Sequence, residues 1–514
     1  MRTSSPLAAP PWPRSDRIRG ATAALLFLAF GASAAQAQTT VTPDALLTAP
    51  APPAPTKNLD WNTGQGKSYV VPAIEVPSFL TALSIFDRIT IPHDVYDSTF
   101  KSTWEHVHEQ HWVFDTDPFN MNQFGHPYQG SVMFGFARST GVSFWQALIY
   151  GNVGSFIWKM AGETDLPSIN DQITTGAAGA LLGESLFRMA SLLLESGGDH
   201  PGVWREIGAG IISPPTGLTR LLFGERFKAV FPSYDPATFM RLRWGVSTDL
   251  FKRNSNLLLN SGSSYTNEKQ KEAILDFSYI YGLPGKPGYE YNRPFDYFSF
   301  EAAAQTAAHG HDFLQDVMVR GLLYGTDYKV GDNYRGIWGL YGSYDYIAPP
   351  VFRVSSTALS LGTTEQWWLT RKVSMQGSAL LGVGFGGAGT TPRPDGERDY
   401  HYGVTPQGLL GMRFIFGRRA MLDFNARDYY VSGTGSDDST GSEQIFRGDV
   451  GLTFRVFQHQ AVGIEYVESH RHGHYGTLPD RYQSEGTFSL VYNLLGSSRF
   501  GAVEWRKNLP PESN

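Results

Sequence analysis

Six ionisable side chains that could do chemistry lie in a stretch, residues 125–188, that is otherwise mostly apolar or glycine. They are His126, Arg138, Glu163, Asp171, Glu184 and Arg188. A histidine beside two carboxylates can act as a general base oriented by an acid, or can contribute to a carboxylate-rich metal site. If the chain is an enzyme, we therefore predict His126, Glu163 and Asp171 as its catalytic residues.

Substrate contacts follow from the same reasoning. Arg138 and Arg220 could each hold an anionic head group through paired N–H donors, and Tyr128 lies two residues after His126. We predict these three as substrate-binding residues. The sequence identifies no cofactor, and any metal content is left unknown.

A structural interpretation of the same residues stays open. Glu184 and Arg188 are spaced i, i+4, so on a helix they can form an internal ion pair. Asp171 fits the first turn of a helix, where a carboxylate is favourable, and His126 is then only a polar residue at a helix start. No nucleophile elbow, phosphate loop or dinucleotide-binding fingerprint accompanies them in a fitting context.

Three predicted helices position these residues. The first begins at His126-Pro127, with proline at its first position, and ends at Gly141. Ser143 and Gln146 form a capping box for the second helix. The third begins at Pro167-Ser168. An antiparallel arrangement would bring Glu163 near Asp171, and His126 would join them only if the first helix folds back.

Glycines and histidines add two weaker signals. Gly176, Gly179 and Gly183 fall near one face of the third helix and would let a neighbouring helix approach closely. The histidine groups His106/His108/His111 and His470/His472/His474 have spacings that permit a metal, but neither supplies a full ligand set. We interpret the second group as part of an external loop, residues 470–481.

Beyond about Met240 the hydrophobic period changes from helical to two. In residues 446–456 apolar or glycine positions alternate with Arg, Asp and Thr, and the apolar face is rich in aromatics. A transmembrane barrel, with lipid outside and a polar lumen, accounts for charges on one face and aromatics on the other. A soluble sandwich remains the alternative. We predict ten to twelve strands between Lys271 and Arg506, the last being Arg499–Arg506.

The breaks between strands fit a barrel as well. Residues 417–419 and 459–460 have the composition of tight turns, whereas 386–401 and 433–444 are long and polar. Short turns at one end and long loops at the other are typical of outer-membrane barrels.

The N-terminus has the three parts of a secretory signal: a basic region, the apolar run 21–30, and a small-x-small site at 35–37. The chain has no cysteine, which excludes disulfides, thiol nucleophiles and a lipidated N-terminal cysteine. Its net charge of −6 gives no electrostatic basis for binding nucleic acid.

Between Trp112 and Gly224 the chain resembles the bacterial domain of unknown function 3943 family. The resemblance is carried by WVFDTDPFNMNQFGHPYQGSVMFGFARSTGVSFW, then GSFIWKMAGE, PSINDQITTGAAGALLGESLFR and SPPTGLTRLLFG, in that order. It implies an envelope location and a helical unit ahead of strands. It implies no reaction.

We therefore expect an α+β protein, with an N-terminal helical unit followed by an antiparallel outer-membrane β-barrel. The expected divisions are a signal peptide (1–37), a Pro/Ala-rich linker (38–57), a helical domain (58–240), the barrel (241–506) and a tail (507–514).

Two functions remain open at this point. The first is a non-enzymatic structural or transport role in the outer membrane, with the helices plugging the lumen or docking at its periplasmic mouth. The alternative is a lipid-modifying or hydrolytic enzyme of the envelope. We expect outer-membrane lipid and the barrel-assembly machinery as partners, and the oligomeric state is left open.

Overall fold

A computed structural model describes residues 58–91, 94–109, 112–114, 117–198, 200–256, 264–265, 271–306, 313–349, 352–389, 400–433, 441–475, 480–497 and 499–506. The predicted signal peptide, linker and C-terminal tail lie outside the described residues, as does His111.

The N-terminal part of the chain is helical. Among the described residues its eight α-helices are α1 (Val70–Thr90), α2 (Phe100–Glu109), α3 (His126–Ser139), α4 (Phe144–Ala161), α5 (Ile169–Ile173), α6 (Gly179–Glu195), α7 (Val203–Ile212) and α8 (Pro214–Phe223). Two π-helical turns, Met121–Gly125 and Thr174–Ala178, lead into α3 and α6. The first predicted helix therefore starts before His126. Pro127 does not begin it, because the π-helical turn Met121–Gly125 comes directly before.

The glycines of the third predicted helix do allow close packing. A Cβ on Gly179 would lie 2.7 Å from the Cα of Gly130 in α3, and one on Gly183 would lie 2.9 Å from the Ser131 carbonyl oxygen. Such distances are shorter than carbon and oxygen atoms tolerate. The crossing of α3 and α6 therefore requires these glycines.

The C-terminal part is a closed antiparallel barrel of twelve strands. They are β1 (Thr238–Asn256), β2 (Lys271–Tyr281), β3 (Phe298–Gln305), β4 (Leu314–Val330), β5 (Tyr334–Ile347), β6 (Arg353–Trp368), β7 (Val373–Gly389), β8 (Tyr400–Phe416), β9 (Ala420–Val431), β10 (Gly441–Phe457), β11 (Gln460–Tyr475) and β12 (Arg481–Leu495). Each strand pairs with the next, and β12 pairs with β1 to close the barrel. An even number of antiparallel strands is the architecture of bacterial outer-membrane barrels.

Charged side chains point into the barrel. Arg427 on β9 lies 3.0 Å from Glu301 on β3, and Arg447 on β10 lies 3.1 Å from Asp316 on β4. These strands are not neighbours, so the ion pairs cross the lumen. The prediction of a polar inner face and an apolar outer face is confirmed.

The end of the chain differs from the prediction. Residues 499–506 do not form the last strand, which is Arg481–Leu495. They enter the lumen at the short-turn end instead. The Val503 carbonyl accepts hydrogen bonds from Gln366 (2.7 Å) and Trp368 (3.0 Å) on β6, and Phe500 is completely buried. A strand would have left these inward-facing donors without protein partners.

The helical unit packs on the outer wall of the barrel. This differs from the prediction, which placed the helices in the lumen or at its periplasmic mouth. On β5, Asp345 points into the lumen, where it accepts a hydrogen bond from Tyr429 of β9. Its neighbours Tyr344 and Tyr346 therefore point outward, because successive strand residues face opposite sides. The Tyr344 hydroxyl donates to the Gln123 carbonyl (2.5 Å), and Tyr346 stacks on Phe119.

The ends of the barrel follow the predicted asymmetry in part. Residues 331–333, 369–372, 417–419 and 458–459 are short turns at one end, although residues 282–297, between β2 and β3, form a long connection at that same end. The connections after β7 and β9 at the other end are longer than the short turns. The predicted loop 470–481 is wrong in part, because β11 continues to Tyr475 and carries His470, His472 and His474 on its outer side. Extended pairing with β10 satisfies the backbone of this polar segment.

Candidate functional site

The predicted catalytic residues meet in one buried group, which we call the His–Lys cluster: His126, Lys159, Glu163 and Asp171. The His126 Nε2 atom lies 3.3 Å from Asp171 Oδ2, and Lys159 Nζ lies 2.5 Å from the same oxygen. Lys159 Nζ also lies 2.6 Å from Glu163 Oε2. The lysine therefore joins the two carboxylates that the sequence analysis paired with histidine.

Local structure explains each position in the His–Lys cluster. Lys159 lies in the last turn of α4, and Glu163 lies two residues beyond its end, where the chain leaves the helix next to the lysine side chain. Asp171 stands in the first turn of α5, and Asn170 donates to its other oxygen (2.7 Å). His126 begins α3, and its Nδ1 atom lies 3.2 Å from Gln129 Oε1.

The His–Lys cluster lies at the level of the long connections of the barrel. Just before His126, the side chains of Asn122 and Gln123 donate to the hydroxyls of Tyr400 (2.7 Å) and Tyr402 (2.9 Å). Tyr400 is the first residue of β8, at the long-connection end. This end of the helical unit is therefore attached to the outer wall by hydrogen bonds.

A second buried group, the Arg–Glu cluster, comprises Arg138, Glu184, Arg188 and Asp296. Arg138 donates to both Glu184 oxygens (2.6 and 3.1 Å), and Arg188 donates to Glu184 Oε1 (2.8 Å). The pair expected between Glu184 and Arg188 therefore forms, with Arg138 as a further partner. Arg188 also reaches Asp296 (3.0 Å), between β2 and β3.

The Arg–Glu cluster occupies the opposite end of the helical bundle from the His–Lys cluster. The α3 helix runs from His126 to Arg138, and α6 ends a few residues beyond Arg188. The two buried guanidinium groups neutralise the two buried carboxylates, as buried charges require, and the partly exposed Arg293 is a further partner of Asp296 (3.0 Å). The Arg138 guanidinium also lies 4.6 Å from the Phe187 ring centroid. The group is a well-matched link between helices and barrel.

Arg220 lies apart from both clusters. Its guanidinium holds Glu206 of α7 by two hydrogen bonds (2.7 and 2.9 Å) and donates to the Lys228 carbonyl (2.7 Å). These hydrogen bonds hold the pKa of Glu206 below its ordinary value. Tyr128 is half-buried and stacks on Phe124. The substrate-binding role of Arg138, Arg220 and Tyr128 stays a prediction, and both arginines already hold carboxylates.

The structure thus separates the predicted site residues into three places. It unites His126, Glu163 and Asp171, and it places Arg138 with Glu184 and Arg188. Sequence analysis missed Lys159 and Asp296. Lys159 is the only charged residue within α4, which is a usable signal, because a lone charge in an apolar helix needs a buried partner.

Of the other grouped histidines, His111 lies outside the described residues. His106 lies against the Thr164 carbonyl, and the His108 ring contacts Trp104 with centroids 3.8 Å apart. Within the described ranges, no group of three His, Asp or Glu residues has the geometry to hold a metal ion. The His–Lys cluster has the histidine–carboxylate contact of a general base, but its four side chains are all buried.

Several solved barrels are similar to this chain. The NanC porin is 9% identical, with a TM-score of 0.24, over 50% of this chain and 98% of the porin. The outer membrane channel DcaP of Acinetobacter baumannii is 7% identical, with a TM-score of 0.24, over 50% and 96%. The Pseudomonas putida toluene transporter TodX is 10% identical, with a TM-score of 0.21, over 51% and 90%. At such TM-scores the likeness carries no argument, so the fold rests on the strand pairing itself.

No curated protein matches the chain. One family model does, and it covers the helices that carry both buried clusters. The resemblance predicted from the motifs is confirmed for that part of the chain: residues 111–215 match the family described as domain of unknown function (DUF3943).

Proposed function

We propose that this chain is an outer-membrane envelope protein in which a filled barrel anchors the helical unit, in a non-enzymatic structural role. The observation that carries the proposal is the attachment of the helices to the outer wall. Tyr344, Tyr400 and Tyr402 all direct their hydroxyls to helical-unit residues. Plug domains of channels, by contrast, lie inside the lumen.

A filled lumen favours the structural role over transport. At the short-turn end, Phe500 and Val503 pack with inward-facing Phe239 and Met421. In the middle, Tyr297, Tyr341 and Leu380 belong to one buried apolar group, in which the two tyrosine rings pack edge to face. At the other end, one apolar group closes the space, comprising Ile347, Phe352, Val354, Val431 and Ile445.

One cavity between these layers is charged. A cavity of about 140 Å³ lies among inward-facing residues that include Arg243, Glu301 and Arg447. Its arginines are held by carboxylates of several strands, so its charges hold each other in place. A space of this size holds a few water molecules rather than a diffusing solute.

The route to the membrane is part of the proposal. Residues 1–37 supply the signal for export across the inner membrane of a Gram-negative envelope. Insertion of twelve strands then calls for the barrel-assembly machinery, and outer-membrane lipid contacts the apolar outer face. These partners follow from the barrel architecture and the N-terminal sequence.

Conductance across a planar lipid bilayer tests the proposal. We expect no steady ion current through the full chain, since three packed layers fill the lumen. Deletion of residues 499–514 removes Phe500 and Val503 from the apolar layer at the short-turn end. We expect brief current steps from that variant. Deletion of residues 507–514 alone is the matched control and leaves the lumen closed. A steady current of porin size through the full chain would overturn the filled-lumen part of the proposal.

The enzymatic alternative is favoured by one observation, the contact of His126 with Asp171 beside Lys159 and Glu163. In that case His126 is the base and Asp171 orients it. The measurement is turnover of an envelope lipid extract by the wild type and by His126→Ala. The structural role predicts no product from either protein and a loss of thermal stability in the variant. A lipid product that disappears in a fully folded variant would establish the enzyme instead.

A further inference from the structure

We propose that the side of the helical unit formed by α1 and α4 lies in the bilayer beside the barrel, with lipid acyl chains covering its outer face. We call this outer face the helical belt, and define it by Trp145, Ile149, Val153 and Phe156 of α4 and by Ile74 and Ile85 of α1. The proposal rests on the outer-membrane placement of the barrel.

The α4 part of the helical belt is a continuous apolar stripe. Trp145, Ile149, Val153 and Phe156 follow at intervals of four, four and three residues, which places them on one side of a helix. Val153 is 50% exposed and Ile149 60%. The helix has 18 residues and so measures about 27 Å, close to the thickness of a bilayer core.

Most charged residues of α1 and α4 are turned away from the helical belt; the exception is Arg88, in the last turn of α1, which is exposed and donates to the Tyr96 and Ser98 carbonyls (2.8 and 2.7 Å). The one charged residue within α4, Lys159, is buried against Glu163 and Asp171. On α1, Glu75 is buried and accepts a hydrogen bond from Thr219 (2.9 Å), and Asp87 is buried as well. Ile74 and Ile85 on the same helix are more than half exposed. In helices surrounded by lipid, charged side chains face the protein interior and aliphatic side chains face the lipid.

The helical belt is continuous with the lipid-facing wall of the barrel. Trp145 stacks on outward-facing Tyr324 of β4, with ring planes 9° apart. Leu181 of α6 packs over Gly342 in β5, and Gly342 pairs with Leu359 on β6, an outward aliphatic residue with no helix over it. The surface covered by the helices and the exposed outer surface of the barrel therefore adjoin on neighbouring strands.

The lengths of the helices agree with this placement. Among the described residues, two helical stretches are long and apolar enough to cross a membrane: Val70–Thr90 and Ile169–Glu195. The second is mostly buried and forms the core of the unit, whereas the first is mostly exposed. Apolar exposure of this extent is costly in water. Acyl chains are the occupant that can cover several differently oriented helices together.

Depth-dependent quenching of a fluorophore in lipid vesicles tests the proposal. The chain has no cysteine, so each variant carries a single reactive thiol. Val153→Cys probes the helical belt, and Leu381→Cys probes an outward-facing, exposed position of β7. Thr63→Cys, at an exposed turn before α1, is the water-facing control. The vesicles contain phosphatidylcholine with brominated acyl chains.

We expect the Val153 label to be quenched to within twofold of the Leu381 label, and the Thr63 label to stay unquenched. Quenching at Leu381 but not Val153, with Val153 open to an aqueous quencher, would place the helices outside the bilayer and leave the barrel placement intact. If neither label is quenched by lipid, the membrane placement of the barrel fails too. A Val153 label shielded from both quenchers, with crosslinks between copies, would replace lipid by a second copy of the chain.

Discussion

Two sectors of the outer barrel wall differ in the side chains they present. Where the helical unit covers the wall, outward positions are mainly aromatic, with aliphatic residues on β4 such as Val317 and Val319; the aromatic ones are Tyr279, Tyr281, Phe298, Phe300, Tyr344, Tyr346, Tyr400 and Tyr402. Where no helix covers it, they are mainly aliphatic, as at Leu359, Leu381, Val383, Leu410 and Leu490. Both sets satisfy the same alternation along the strands.

Hydrogen bonding explains part of the difference between the covered sector and the open sector. A phenol hydroxyl at the depth of acyl chains has no partner, and leaving it without one is costly. In the covered sector the helical unit supplies partners for two tyrosines, the Gln123 carbonyl for Tyr344 and the Asp117 carbonyl for Tyr400. Among the described residues, no hydrogen bond joins the Tyr279 hydroxyl to the helical unit, so the rule does not extend to every tyrosine of the sector.

The largest expected effect comes from the link at the edge of the covered sector. Arg188→Leu removes one of the two arginine partners of Glu184 and one of the two of Asp296, so that Arg138 and the partly exposed Arg293 alone face these two buried carboxylates. Because each carboxylate keeps one arginine, the loss should lie near the lower end of the about 3–5 kcal/mol that breaking a buried ion pair costs. We expect that loss in urea unfolding from detergent micelles. Arg205→Leu, at an exposed arginine of α7, is the control and should change the unfolding free energy by less than about 0.5 kcal/mol. Equal losses in the two variants would contradict the proposed link.

Steric packing provides the second test of the two sectors. Gly342→Leu places a side chain where a Cβ alone would lie 2.7 Å from Leu181 of α6, so the helix must move. Overpacking of this kind costs about 1–3 kcal/mol. Gly408→Leu makes the same change on β8 in the open sector, where the nearest contact is Leu381 at 3.3 Å. We expect faster proteolysis between the helical unit and β1 for Gly342→Leu only. Similar proteolysis of both variants would mean that the two sectors are not distinct.

A smaller effect is expected from one hydroxyl group. Tyr344→Phe leaves the Gln123 carbonyl without its 2.5 Å hydrogen bond. The cost should be about 1–2 kcal/mol, because a buried acceptor loses its donor. Tyr430→Phe, at an exposed outward position of β9, is the control and should be nearly neutral. Thermal unfolding monitored at the helical circular dichroism band measures both, and a neutral Tyr344→Phe would show that this hydrogen bond does not hold the helices.

The contrast between the sectors also shows what the sequence could predict. Alternation in residues 446–456 is enough to predict a barrel, because charges on one face need a lumen and aromatics on the other need an apolar medium. It could not place the helices, since Tyr344 and Leu359 are both apolar residues at outward positions. The sequence pattern also could not predict that residues 499–506 enter the lumen, because that placement depends on a contact between distant parts of the chain. The hydrogen-bond partner Gln366 lies 137 residues away from Val503.

The candidate site was predictable to the extent that it is local. Capping and helix order placed Asp171 near Glu163, and the i, i+4 spacing placed Glu184 beside Arg188. The contact between Arg188 and Asp296 spans 108 residues and depends on the segment between β2 and β3. The part played by Lys159 could have been anticipated, because a single lysine in an apolar helix must be neutralised where it is buried.

The smallest effect is expected from an ion pair that touches neither sector. Glu206→Gln removes the carboxylate that Arg220 holds. The Glu206 side chain is 32% exposed. A pair this close to solvent contributes at most about 1 kcal/mol. Because Arg220 lowers the pKa of Glu206 in the folded chain, the contribution is present above the unfolded pKa of about 4.3 and is lost as the pH falls through the lower folded value. The stability difference between wild type and Glu206→Gln should therefore be constant from pH 7 to pH 5 and shrink towards pH 3. A difference that grows on acidification would show that Arg220 does not stabilise the ionised carboxylate.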